Sequence, residues 1–204
     1  MSNFRRPKNL TTRRMQETRP NPPKEHSTSP RPAREIRWNC PVAAKCGGCQ
    51  LTRLSYAEQL QWKQQRVAEL LDGICEVRPI LGMDDPFHYR NKVHAVLSVD
   101  KTGKPISGVY AMGTHRVVPV RHCLIEDRRA DRIIQTIVAM LPAYKLRIYN
   151  EYTHRGFLRH ILIRTGHVTG QIMVVLVATS LEFPGKKAFV QELIQRHPEI
   201  TTVV

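Results

Sequence analysis

Four of the five cysteines in this chain stand where thiolates can share one soft centre. Cys46-Gly47-Gly48-Cys49 aims two sulfurs inward from one short loop. Its glycines let backbone N–H groups approach the sulfurs and lower their charge. Cys40, followed by Pro41, adds a third thiol with five residues intervening before Cys46. A soft site wants a fourth thiolate, and only Cys75 and Cys123 remain. Cys123 is the better placed, because it ends an extended segment just before a helix, where a turn can present it to the loop. Cys75 follows a helix end within Ile74-Cys75-Glu76-Val77 and reads as a small half-buried residue. Three local cysteines plus one distant cysteine suit an iron–sulfur cluster at least as well as zinc, and spacing alone leaves both open. A thioredoxin-like use of the Cys46–Cys49 pair requires a βαβ setting, and no strand precedes it. The plain alternative is unligated thiols. His122 could substitute as a ligand, although a lone histidine is more often a surface or neighbouring group.

The elements that must hold these cysteines follow from periodicity. Residues 38–54 are rich in Cys and Gly and read as a loop wrapped on something other than a core. A helix follows, opened by the capping-box pair Ser55 and Glu58, with Tyr56, Leu60, Lys63, Val67, Leu70 and Ile74 at helical spacing and Gly73 at its end. After Pro79 the period changes to two: Val93, Ala95, Leu97 and Val99 alternate, and residues 100–105 supply a turn. Two further strands are expected over 106–112 and 115–121. A second helix is expected from Leu124 to Leu141, with Ile133, Ile134, Ile137, Val138 and Leu141 on its buried face. Strands are predicted over 145–153, 157–164 and 171–178, a third helix from Pro184 to His197, and the start of a strand at Thr201–Val204. The fold class is therefore α+β, with a mixed, mainly antiparallel sheet behind a cysteine-rich loop.

Charge narrows the partners. The 204 residues carry 32 Lys and Arg against 17 acids, a net charge of +15, and such an excess favours a polyanion, with nucleic acid first. Residues 1–37 hold ten of those cations, three acids and six prolines, and read as a flexible basic arm. The other 22 cations face 14 acids, so the folded part is basic as well. No run of about 18 apolar residues and no apolar signal core occur, which argues against a membrane span and against secretion and leads us to expect a cytoplasmic protein.

The motif order carries a resemblance. Residues 40–51, followed by Tyr56 and Gln59, then Tyr89-Arg90-Asn91-Lys92, Val120-Arg121-His122-Cys123 and the run 156–164 (Gly156 to Arg164), resemble the bacterial RNA (uracil-C5) methyltransferases, and more narrowly the 23S rRNA branch. The resemblance implies a [4Fe-4S] cluster on Cys40, Cys46, Cys49 and Cys123. It also implies that a Rossmann-like domain follows, which binds S-adenosylmethionine and carries the cysteine nucleophile and the glutamate base. The chain is then expected to be the N-terminal part of such an enzyme, inactive alone, with a basic arm (1–37), a cluster loop and helix (38–78) and a central α+β RNA-binding domain (79–204). The full-length protein is expected to be a monomer. Arg90, Lys92, Arg159 and Arg164 are the expected contacts to RNA, 23S rRNA in particular, with Phe157 available to stack on a base near Arg159. The alternative is a free-standing, metal-stabilised RNA-binding protein without methyl transfer. A small redox carrier fits a basic chain poorly.

Overall fold

The computed structural model describes residues 38–204, so the basic arm expected over 1–37 lies outside the described residues. In chain order the elements are α1 (Tyr56–Leu70), β1 (Lys92–Val99), β2 (Pro105–Tyr110), β3 (Val117–Pro119), α2 (Arg128–Met140), β4 (Leu158–Thr165), β5 (Ile172–Ala178), α3 (Lys186–Arg196) and β6 (Ile200–Val203). The strands form one sheet in the order β3-β2-β1-β4-β5-β6. Every pairing is antiparallel except β5 with β6, which is parallel. This is the mixed, mainly antiparallel α+β sheet that the periodicity predicts. Among the described residues no helix is long and apolar enough to cross a membrane.

Alternation decides which sheet face is covered. Val93, Ala95 and Leu97 of β1 and Ile161 and Ile163 of β4 point to one side, where Ile133, Ile134, Ile137 and Val138 of α2 and Phe189 and Leu193 of α3 close the core. The stripe expected on α2 is thus the buried one. The helix itself starts later than expected. Asp127 is its N-cap and accepts from the Arg129 N–H at 2.8 Å. Residues 124–126 instead lie beside residues 88–90: the His88 N–H donates to Leu124 O at 2.9 Å and the Arg90 N–H to Ile125 O at 2.8 Å. That pairing fixes both Arg90 and the approach to Cys123.

Two further expectations change. The capping box of α1 is present, with the Ser55 N–H donating to Glu58 Oε2 at 2.7 Å and the Glu58 N–H to Ser55 Oγ at 3.3 Å. Its apolar stripe, however, is not covered: Val67, Leu70 and Ile74 are exposed, and only Tyr56 and Gln59 are buried. The helix is tied to the chain that follows it, through the Met83 N–H on Tyr56 Oη at 2.7 Å and Gln64 Nε2 on Arg78 O at 3.2 Å. Residues 145–153, expected as a strand, form no continuous strand: two isolated bridges, Ile148 with Leu158 and Asn150 with Arg155, are followed by a turn over 151–154. Asn150 Oδ1 accepts from the Tyr152 and Thr153 N–H groups, both at 2.9 Å, and this local side-chain turn competes with strand extension.

Candidate functional site

Cys40, Cys46, Cys49 and Cys123 line one narrow cavity of about 50 Å³, several times what one water needs by the same measure. Its walls also include Trp38, Val42, Arg90, Val120, Ile125 and Glu126. The loop is shaped by turns: the Ala43 N–H donates to Cys40 O at 3.2 Å and the Cys46 N–H to Val42 O at 2.8 Å. An isolated bridge between Cys46 and Ala111 ties it to the end of β2. The Gly48 N–H donates to Cys46 Sγ at 3.4 Å, the use of a small residue that the motif suggests. Cys123 arrives from the other side, its own N–H donating to Asp131 Oδ2 at 2.9 Å. The four thiols are half-buried, whereas Cys75 is exposed and does not line the cavity.

The electrostatics follow from that burial. Desolvation, with help from Glu126, pushes the Cys123 thiol up to about 11, against N–H groups of Ile125 and Glu126 that lower it. Burial also raises the Cys49 thiol, against the Arg90 guanidinium, which lowers it. Glu126 is itself pushed up to about 7 by burial and by Asp131, with which it shares a hydrogen bond. Such thiols ionise when a bound cation supplies the missing positive charge. Among the described residues no three His, Cys, Asp or Glu side chains converge tightly enough to hold a metal ion, so ligation requires the thiols to turn toward a common point. The donor set fits a soft centre: all-sulfur donors, apolar walls, an N–H on one sulfur, and a Trp38 indole N–H buried in the same wall with no partner among the described residues.

The four expected RNA contacts divide. Lys92 and Arg164 are directly opposite each other on β1 and β4, both exposed. With Asn91, Thr165, Gly166, Thr169 and Gln171 they line an open cavity of about 450 Å³ at one end of the sheet. Arg90 is turned to the cysteine cavity instead. Arg159 has an internal partner: it bonds Glu151 at 2.8 and 3.0 Å and lies 4.6 Å from the centre of the Tyr149 ring. Phe157 packs against Phe183 at the core, ring centres 5.2 Å apart, so the aromatic group beside Arg159 is Tyr149. The sequence places Asn91 in a motif without giving it a role, and it does not single out the Glu126–Asp131 pair. An acid in the first turn of a helix reads as a dipole partner, and nothing in its spacing announces a buried carboxylate.

No family model matches the chain. It is 38% identical over 176 residues to an uncharacterized RNA methyltransferase of Clostridium tetani, covering 84% of this chain and 38% of that protein. It is 37% identical over 170 residues to one of Bacillus cereus, covering 81% of this chain and 37% of that protein. Among solved structures it resembles the Pyrococcus abyssi tRNA (uracil-54, C5)-methyltransferase in complex with S-adenosyl-L-homocysteine, with a TM-score of 0.55, 25% identity, and coverage of 74% of this chain and 35% of that one. In sequence and in fold the likeness is to RNA methyltransferases, of whose length this chain spans less than two fifths.

Proposed function

We propose that this chain supplies the cluster-binding and RNA-holding part of an S-adenosylmethionine-dependent RNA uracil-C5 methyltransferase, with 23S rRNA as its substrate. The observation that carries the reading is the meeting of Cys40, Cys46, Cys49 and Cys123, from segments 73 residues apart, around one cavity. These four thiolates would hold the [4Fe-4S] cluster, which when bound supplies a covalent cross-link between the loop and the strand-to-helix turn before α2. Arg90 sets a positive charge beside that anionic centre. The next two residues, Asn91 and Lys92, line the cationic cavity with Arg164. The tripeptide thus joins the cross-linked region to the surface offered to RNA phosphates. In this reading Arg159 orders the 149–155 loop against β4 and does not meet a phosphate. No residue of this chain is assigned to S-adenosylmethionine or to the attack on uracil.

Anaerobic reconstitution with iron and sulfide, followed by metal and sulfide analysis, tests the centre. Wild type and Cys75→Ala should bind both in equal amounts, while Cys46→Ala and Cys123→Ala should lose them. Zinc recovered in place of iron, or unchanged iron in Cys46→Ala, would defeat the assignment. Both cavities lie within the described residues, which also suits a metal-stabilised RNA-binding protein that transfers no methyl group. A methyl-transfer assay on uridine-containing RNA, with a protein of the relatives' full length, separates the two.

A further inference from the structure

The sheet has a second face, away from α2 and α3. Registers place its side chains in rows across β1, β4 and β5: Lys92, Arg164 and Met173, then His94, Leu162 and Val175, then His160 and Val177 beside Val96. Lys92, Arg164 and His94 are exposed, and Leu162, His160 and the β5 residues are half-buried. Successive rows are about 7 Å apart along the strands. The His94 and His160 rings meet edge to face with centres 4.8 Å apart. Beyond them lie Tyr110 on β2 and the Arg159–Tyr149 pair, with Glu151 as the acidic side chain that enters this end, tied to Arg159.

We propose that this outer face is a platform for a single-stranded RNA segment, with a phosphate on Lys92 and Arg164 and an unpaired base against the His94–His160 pair. The proposal rests on the RNA reading above and adds where, and in which form, RNA lies. Three features select this occupant. Lys92 and Arg164, which have no ion-pair partner among the described residues, complement a polyanion at one end of the face. Aromatic rings and half-exposed aliphatic groups in the neighbouring rows offer flat apolar surface to unstacked bases, which a duplex would not present. A protein partner covering the whole face would have to desolvate Lys92, a residue type depleted from interfaces. Burial, with the neighbouring His94 and Arg159, holds the His160 imidazole below its ordinary titration range, which disfavours a charged ring and suits an aromatic surface.

Photo-crosslinking of the full chain to single-stranded RNA containing 4-thiouridine, with mass-spectrometric mapping of the adducts, tests the placement. Adducts are expected on the peptides of β1 and β4. The exposed His94→Ala variant should bind the same RNA roughly 5- to 150-fold more weakly, the range for loss of one stacked base, with little change toward a duplex of the same sequence. Adducts only on other elements, together with wild-type affinity in His94→Ala, would overturn the placement and leave RNA binding intact, freeing this face for a protein contact. A wild-type chain that binds no single-stranded RNA would overturn the RNA reading as well.

Discussion

Replacing Lys92 and Arg164 together by glutamine separates their use in RNA binding from any use in folding. The two side chains stand directly opposite each other on neighbouring antiparallel strands. Like charges in that position oppose sheet formation, by about 0.2 to 1 kcal/mol. Salt screens part of this because both groups are exposed. Neutralising them should therefore leave thermal stability unchanged or slightly raise it. Their effect on RNA should run the other way. Each cation that neutralises one phosphate of a single strand contributes about 0.7 to the slope of log affinity against log salt, so the double variant should lose about 1.4. Over a fourfold rise in salt, from about 50 to 200 mM, wild type should then lose roughly sevenfold more affinity than the variant. Fluorescence anisotropy with a labelled single-stranded RNA at four or more salt concentrations reads the slope, and a thermal melt reads stability. A lower melting temperature with an unchanged slope would refute the reasoning, since the pair would then serve the fold and not the ligand.

Gly156 sits at φ +123, and a Cβ there would run into Ile148 O and the Tyr149 backbone, so Gly156→Ala should cost about 3 kcal/mol or more in a urea melt. The folded His160 titrates below its ordinary value, because burial and neighbouring His94 and Arg159 disfavour its charged form. The unfolded chain therefore binds more protons below pH of about 6.5, so stability is level above that pH and falls as pH drops toward the folded value. A His160→Leu variant should lose this part of the acid slope in melts at a series of pH values, and an identical slope would contradict it. Stripping the iron of the proposed cluster with a chelator should raise hydrogen exchange at residues 40–49 and at Cys123 while leaving β4 and β5 protected. Deleting residues 1–37, with ten Lys and Arg against three acids, should flatten the salt dependence of RNA binding without changing the preferred site.

What the sequence by itself determined is local. The capping box at Ser55 and Glu58 and the buried stripe of α2 depend on spacings of three and four residues. The Asp100 turn does as well: its Oδ1 accepts from the Thr102 N–H at 2.8 Å and the Lys104 N–H at 3.0 Å. The cysteine spacing and the two-residue alternation of β1 belong with them, because a periodicity of the chain is already a geometry. Only the tertiary structure decided what those side chains face. The apolar spacing of α1 makes a helix whether or not another element covers it, and here Val67 and Leu70 stay in solvent. Residues 145–153 alternate well enough for a strand, yet the Asn150 side chain accepts from the Tyr152 and Thr153 N–H groups and the chain turns. Arg90 reaches the cysteine cavity because its backbone is held beside Ile125, and Arg159 is taken by Glu151 from a loop that folds back over β4. A charged side chain close to a strand end looks alike in sequence whether it meets solvent, a carboxylate or a buried thiol. Its partner is set by strand register and by segments tens of residues away, which spacing along one segment does not encode.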